Sequence, residues 1–126
     1  MMKILTVDDS RIIRKIIKGI IETLGYETAE ADCGTAALEL LGKDKGEIGL
    51  ILLDWNMPGM NGLEVLQAIK AEDSLKDLPV MMVTTEAEKS NIVKAIQSGA
   101  SNYLTKPFQQ EELAAKIMEC LGMGSV

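Results

Sequence analysis

Short apolar runs alternate with stretches of helical periodicity along the chain, and this alternation restricts the folds that the chain can form. The runs predict five strands: Lys3–Val7, Tyr26–Glu30, Ile48–Leu53, Val80–Val83 and Tyr103–Thr105. Strands that alternate with helices indicate right-handed crossovers and a parallel sheet with helices on both faces. The predicted fold class is therefore α/β, a (βα)5 doubly wound five-stranded parallel sheet.

Apolar spacing and capping residues define the predicted helices. Ser10 is the expected N-cap of the first helix, and Gly25 stands where a C-terminal cap would lie. The other predicted helices are Gly34–Leu41 closed by Gly42, Gly62–Ala71, Ala87–Ser98 and Gln109–Leu121.

Apolar stripes predict which helix faces are buried. One stripe fits a single face of the first helix: Ile12, Ile13, Ile16, Ile17, Ile20, Ile21 and Leu24. In the fourth helix we expect Ile92, Val93 and Ile96 to point inward. The tail Gly122–Val126 is expected to be frayed.

Length and charge limit the classes of protein to consider. The chain has 126 residues, about the size of one domain, so we expect a single domain over residues 1–126 with no output domain. Its net charge of −6 argues against binding to nucleic acid. No apolar run approaches the roughly 20 residues of a membrane span. No signal peptide precedes the first strand, so we expect a cytoplasmic location.

The sequence contains no histidine. This excludes histidine metal ligands, histidine general bases and any role as a histidine phosphodonor. Ionic chemistry must come from carboxylates, Lys, Tyr, Thr or a hard metal ion. The two cysteines, Cys33 and Cys120, form no metal or redox motif, and we expect both to be small buried side chains.

Polar residues follow four of the predicted strands, at the edge where open parallel sheets bind ligands. They are Asp8 and Asp9 after the first strand, Asp54 after the third, Thr84 or Thr85 after the fourth, and Lys106 after the fifth. Three carboxylates this close repel one another, and a divalent cation with oxygen ligands relieves that repulsion. Mg²⁺ is the natural candidate, because three carboxylates, one Mg²⁺ and Lys106 together have no net charge.

This combination favours covalent chemistry on a carboxylate. Mg²⁺ usually takes one or two carboxylates and completes its octahedron with water and phosphate oxygens, which leaves one carboxylate free to react. A carboxylate beside Mg²⁺ and a lysine can form an aspartyl phosphate. A single aspartate after a strand is often only a turn residue or helix cap, but that interpretation explains the combined set poorly.

Four ordered segments carry a resemblance to a known family: Val7–Ser10 (VDDS), Leu52–Gly62 (LLDWNMPGMNG), Met82–Glu86 (MVTTE) and Gly99–Phe108 (GASNYLTKPF). Together with their spacing, they resemble the receiver domains of bacterial two-component signalling over residues 2–121. Within that family the chain is most similar to the stand-alone chemotaxis regulators. The resemblance implies the flavodoxin-like strand order 2-1-3-4-5.

The resemblance also implies a role for each acidic residue. Asp54 matches the phosphorylated aspartate of the family and contributes to the metal site. Asp9 matches the direct Mg²⁺ ligand, and Asp8 matches the neighbouring acid that acts through water. The backbone carbonyl of Asn56 matches the third protein ligand. Trp55 adjoins the acceptor, so its fluorescence should respond to Mg²⁺ and to an acyl phosphate.

Further roles follow from the same resemblance. Lys106 matches the lysine that contacts the phosphoryl group, and its peptide bond to Pro107 is expected to be cis. Thr84 matches the hydroxyl that swings toward the phosphoryl group, and Tyr103 the aromatic that turns inward on activation.

Thr85 departs from the family pattern, which usually has a smaller residue at this position. Its hydroxyl leaves the assignment of Thr84 open and is expected to narrow access to the phosphoryl group. Asn56 and Glu86 occupy positions that tune dephosphorylation in the family.

We expect the signal to leave through the face formed by helix 4, strand 5 and helix 5. The candidate contacts are Lys89, Asn91, Tyr103 and Lys116. Lys89 and Lys116 are also open to interpretation as solvated charges.

The resemblance implies a monomeric switch with a histidine kinase as phosphodonor and a flagellar motor switch protein as target. A phosphatase is a further expected partner. We expect no turnover of an external substrate, so the chain is not predicted to be an enzyme. The alternative is a single-domain phosphorelay intermediate or adaptor outside chemotaxis, because the site motifs are shared by these proteins.

Two other classes fit the sequence less well. A flavodoxin-like nucleotide binder needs a phosphate-binding loop after the first strand, where this chain has Asp8 and Asp9. A haloacid-dehalogenase-type phosphatase has its two aspartates separated by one residue and usually a cap insertion. Here the pair is adjacent, and 126 residues leave no room for a cap.

Overall fold

Five parallel strands form one sheet in the computed structural model, which describes residues 2–44 and 46–122. The strands are β1 (Lys3–Val7), β2 (Glu27–Ala31), β3 (Ile48–Leu53), β4 (Val80–Thr84) and β5 (Asn102–Thr105). Their order across the sheet is β2-β1-β3-β4-β5, and all neighbouring pairs are parallel. The fold class and the strand order are both confirmed.

One helix follows each strand. The helices are α1 (Arg11–Thr23), α2 (Gly34–Lys43), α3 (Gly62–Ala71), α4 (Lys89–Gln97) and α5 (Gln110–Cys120). Ser10 caps α1 as expected, since its hydroxyl accepts a hydrogen bond from the Ile13 amide at 3.3 Å. The expectation of a frayed tail falls outside the described residues beyond Gly122.

The sheet separates two apolar cores. Helices α2, α3 and α4 pack on one face, while α1 and α5 pack on the other. Strand β3 contributes to both, because Leu50 and Leu52 point toward α1 and α5 whereas Ile51 and Leu53 point to the opposite face. A strand covered on both faces is apolar at nearly every position, which explains the unbroken run in the sequence.

The predicted inward stripes are too wide. On α1, Ile17, Ile20 and Ile21 are buried, whereas Ile12 is 73% exposed and Ile16 is 48% exposed. A helix surface curves away from the sheet, so adjacent isoleucines cannot all face it.

The prediction for α4 is also wrong in part. Val93 and Ile96 are 44% and 46% exposed, and Ile92 is half-buried. The buried residue of this helix is Ala95. Its small side chain lies nearest the sheet, and the larger side chains flank it.

Some helix ends also differ from the prediction. Helix α2 continues through Gly42 to Lys43, and the carboxylate of its C-cap, Asp44, accepts hydrogen bonds from the Glu47 and Ile48 amides. Helix α4 begins at Lys89 rather than at residue 87, because side chains bind the backbone of the preceding turn. Residues 85–88 therefore form a β4–α4 loop beside the carboxyl edge of the sheet.

The cysteine prediction is only partly met. Cys33 and Cys120 are free thiols, but both are half-buried rather than buried. No helix in the described part of the chain is long and apolar enough to cross a membrane.

Candidate functional site

The carboxyl edge of the sheet brings the predicted site residues together. Asp8 and Asp9 follow β1, and Asp54 follows β3. Carboxylate oxygens of these three residues lie within 4.8 Å of one another, and we refer to them as the acidic cluster. Asp8 and Asp54 are buried, whereas Asp9 is exposed at the mouth of the site.

Asp8 is held by neighbouring polar groups. Its amide donates to the Ala31 carbonyl on β2 at 3.1 Å, and its Oδ1 accepts from the Ser10 amide at 2.9 Å. Its Oδ2 accepts from Lys106 Nζ at 2.6 Å. These contacts fix the side chain, which is only 3% exposed.

Lys106 lies between two carboxylates of the acidic cluster. Its Nζ is 2.6 Å from Asp8 Oδ2 and 3.5 Å from Asp54 Oδ2. Three carboxylates and one ammonium leave a formal charge of −2, which a divalent cation would balance. The ammonium lies beside Asp54, as the sequence predicted, and the Lys106–Pro107 peptide bond is cis as expected.

Asp54 is a buried carboxylate at the end of β3. Its amide donates to the Val7 carbonyl at 3.0 Å, which ties this residue to the end of β1. Burial raises the pKa of Asp54 above its usual range, and the negative charge of Asp8 raises it further. Hydrogen bonds from Thr84 and from the Asn56 amide oppose this increase, as does the Lys106 ammonium.

The fourth strand ends in two threonines that differ in position. Thr84 is fully buried and close enough to Asp54 to lower the pKa of that carboxyl, and its Oγ accepts from the Glu86 amide at 3.2 Å. Thr85 is exposed, and its Oγ accepts from the side-chain amide of Asn56 at 3.2 Å. The geometry thus favours Thr84 as the hydroxyl of the site, and it places Thr85 at the mouth.

Tyr103 on β5 is half-buried and contacts the β4–α4 loop. Its hydroxyl donates to the Glu86 carbonyl at 2.6 Å. Burial raises the pKa of Tyr103 to about 12, and the charges of Glu86 and Asp54 contribute to the increase. A continuous path of contacts therefore joins Asp54 to Tyr103 through Thr84 and Glu86.

The other residues of the predicted output face lie apart from the acidic cluster. Lys89 is exposed and Asn91 is half-buried, both on α4. Lys116 on α5 is half-buried, and its Nζ lies 3.4 Å from Asn102 Oδ1. The geometry does not distinguish a binding role for the two lysines from that of ordinary surface charges.

The donor set suits a hard divalent cation. Its three carboxylates offer the oxygen ligands that Mg²⁺ prefers, and exposed Asn56 lies beside them with its amide 3.3 Å from Asp54 Oδ1. Water can reach the site through exposed Asp9, which fits the water ligands that Mg²⁺ usually keeps.

No sequence pattern singled out Arg14 on α1 as part of the site. Its guanidinium reaches back to the backbone carbonyl of Asp8 at 2.7 Å. A basic residue one helical turn after the N-cap is the only signal in the sequence. The spacing alone does not show that the side chain folds back toward β1.

Comparison with known proteins agrees with this geometry. A family model described as the response regulator receiver domain matches residues 4–118. The chain belongs to this family. Receiver domains of this type accept phosphoryl groups from histidine kinases and act on a target, and they generally bind Mg²⁺ at an acidic pocket.

Similar receiver domains come from several organisms. The chain is 48% identical over 117 residues to chemotaxis protein CheY of Pseudomonas aeruginosa, covering 92% of this chain and 93% of that protein. It is 42% identical over 125 residues to a CheY homolog of Campylobacter jejuni, covering 98% and 95% of the two chains. The structure of Vibrio cholerae CheY4 matches with a TM-score of 0.87 at 33% identity, covering 95% of this chain and 98% of that one.

Proposed function

We propose that this receiver domain accepts a phosphoryl group on Asp54 and changes its surface in response. The observation that carries the proposal is the acidic cluster, with Lys106 Nζ between Asp8 and Asp54. Asp9, Asp54 and the backbone carbonyl of Asn56 would hold Mg²⁺ directly, with Asp8 acting through water. Bound Mg²⁺ supplies positive charge that offsets the negative charge of the phosphoryl oxygens.

The chemistry needs Asp54 in its ionised form. An Oδ of Asp54 attacks phosphorus, and the bond from phosphorus to the phosphohistidine nitrogen breaks as the new P–O bond forms. Lys106 needs only a small displacement from Asp8 to reach a phosphoryl oxygen on Asp54. The buried Thr84 hydroxyl adjoins Asp54 and would donate a hydrogen bond to a second phosphoryl oxygen.

Signal transmission would follow the contacts from Thr84 to Tyr103. A phosphoryl group adds about −1.5 to −2 charge at Asp54. A Thr84 hydroxyl drawn toward that charge weakens its bond to the Glu86 amide, and the β4–α4 loop changes with it. Tyr103 contacts the same loop, so the face formed by α4, β5 and α5 is the proposed output surface.

Chemotaxis is the proposed setting because the similar proteins from two organisms are named for it. The target would then be a flagellar motor switch protein, with a histidine kinase as donor and a phosphatase as a further partner. We propose a cytoplasmic monomer that turns over no external substrate. A relay or adaptor role uses the same site residues and differs only in what binds the output face.

Intact mass spectrometry tests the acceptor chemistry. The protein is incubated with a small acyl phosphate in Mg²⁺ or in chelator. We expect one added phosphoryl group that requires Mg²⁺ and is absent in Asp54→Ala. A phosphoryl group that persists in Asp54→Ala would overturn the assignment.

A second experiment distinguishes the two settings. Phosphorylated protein is mixed either with a flagellar switch peptide or with a histidine phosphotransfer domain. Binding to the peptide that depends on phosphorylation supports motor control. Transfer of the phosphoryl group to the phosphotransfer domain, without peptide binding, supports the relay alternative.

A further inference from the structure

Arg14 on α1 joins two elements beside the acidic cluster. Its Nη1 donates to the backbone carbonyl of Asp8 at 2.7 Å, and its Nε donates to Glu30 Oε1 on β2 at 3.0 Å. The Arg14 side chain is 14% exposed and that of Glu30 is 39% exposed. A guanidinium with two fixed partners is held in one orientation, which a single surface ion pair does not achieve.

The carbonyl that Arg14 binds belongs to the peptide group between Asp8 and Asp9. The other polar groups of Asp8 are already engaged, by the Ala31 carbonyl, the Ser10 amide and Lys106. The Arg14 contact fixes the remaining group and with it the plane of the Asp8–Asp9 peptide. Since a peptide group is planar, this plane fixes the position of the Asp9 Cα and so restricts where the exposed Asp9 side chain can reach.

We propose that Arg14, oriented by Glu30, is a positioning residue for the Asp9 metal ligand. It holds the Asp8–Asp9 peptide so that the Asp9 carboxylate faces Asp54 before any cation binds. The inference rests on the proposed Mg²⁺ site and adds to it a residue that contacts neither metal nor phosphoryl group. Partners that orient metal ligands in this way typically change metal affinity by about 10- to 100-fold when removed.

An effect of Arg14 through its charge and an effect through positioning of Asp9 predict opposite changes in Mg²⁺ affinity when Arg14 is replaced. A cation near a metal site repels the metal, so loss of the Arg14 charge alone would strengthen Mg²⁺ binding. Loss of positioning would weaken it. Loss of the Glu30 charge alone would weaken Mg²⁺ binding, whereas positioning requires only that residue 30 keep an oxygen that accepts from Arg14 Nε.

The experiment measures the Mg²⁺ dissociation constant of the unphosphorylated protein by Trp55 fluorescence and calorimetry. The variants are Arg14→Gln, Arg14→Lys and Glu30→Gln, with Arg11→Gln as the charge-matched control on exposed α1 surface. We expect about 10-fold weaker binding in Arg14→Gln and weaker binding in Arg14→Lys, which keeps the charge but loses the guanidinium fork. Glu30→Gln and Arg11→Gln are expected to stay within about twofold of wild type.

Urea unfolding in chelator identifies the variants that are folded, and each dissociation constant is measured on folded protein. If Arg14→Gln does not fold, the test is made with Arg14→Lys. This variant keeps the positive charge, so its Mg²⁺ affinity would stay unchanged if Arg14 acted through charge alone. If the wild type binds Mg²⁺ and the Arg14 variants bind it equally well or more tightly, the positioning role is overturned but the proposed metal site is not. A wild type that shows no Mg²⁺ binding overturns the proposed metal site and the role of Arg14 with it.

Discussion

Asp54 combines deep burial with a required negative charge. It is 5% exposed, and burial raises its pKa in the folded chain above the ordinary aspartate value. A raised folded-state pKa favours folding below the unfolded-state pKa, and this contribution is lost as pH rises through the folded-state pKa. At neutral pH the ionised carboxylate therefore destabilises the fold, and Mg²⁺ binding would offset that cost.

Asp54→Asn is expected to raise the free energy of unfolding. The substitution keeps the shape of the side chain and removes the buried charge, so we expect an increase on the order of 1 kcal/mol at pH 7 in chelator. The difference should shrink at acidic pH, where the wild-type carboxyl is protonated. Urea unfolding across pH measures both effects, and Mg²⁺ should stabilise wild type more than the variant. A variant less stable than wild type at pH 7 in chelator would contradict this.

The β4–α4 loop is the element that links the acceptor to the output face. The Glu86 carbonyl accepts a hydrogen bond from the Tyr103 hydroxyl, and the Glu86 amide donates one to Thr84 Oγ. A single residue therefore joins the acceptor site to the output face. The apolar pattern extended α4 to residue 87 and did not reveal this loop. Side-chain hydrogen bonds to the backbone outweigh helix propensity here, and such local competition is hard to read from sequence.

Tyr103→Phe removes one hydrogen bond and keeps the ring. We expect the free energy of unfolding to fall by about 1 kcal/mol, since that is the typical net value of such a bond. Phosphorylation of Asp54 should persist, whereas the effect of phosphorylation on target affinity should diminish. Urea unfolding, intact mass and target binding are measured on the same preparation. Normal phosphorylation with unchanged target binding would exclude Tyr103 from the switch.

Helix α3 begins against the backbone that carries Asp54. A Cβ on Gly62 would collide with the Asp54 carbonyl oxygen and would lie 2.7 Å from Trp55 Cα. Neither group can move without displacing the acceptor. The sequence predicted α3 with its observed bounds, but the requirement for glycine at its first position is visible only in three dimensions.

Gly62→Ala is expected to lower the free energy of unfolding by about 2–3 kcal/mol, because the clash is with backbone. Gly19→Ala is the matched control, since a Cβ at that helical position meets nothing within 4 Å. The control should gain up to about 1 kcal/mol from helix propensity. Equal effects of the two substitutions in thermal or urea unfolding would argue against the close approach at Gly62.

The parallel topology of the sheet explains why the positions of the site residues could be predicted from the sequence. Lys106 and Asp8 are 98 residues apart, yet they meet because parallel strands bring their carboxyl ends to one edge. Recognition of the strand runs was therefore enough to place the acidic cluster and Lys106 together with Thr84 or Thr85, whereas the choice of Thr84 came from the family resemblance. Arg14 and the exposure of Ile12 depend on how α1 is rotated against the sheet, and periodicity does not fix that angle.

The central claim is that Asp54, rather than Asp8 or Asp9, accepts the phosphoryl group. The most direct measurement treats the protein with acyl phosphate and Mg²⁺, reduces the acyl phosphate with borohydride and maps the altered residue by peptide mass spectrometry. We predict alteration at Asp54 alone, dependent on Mg²⁺. Alteration at Asp8 or Asp9, or its persistence in Asp54→Ala, would contradict the account.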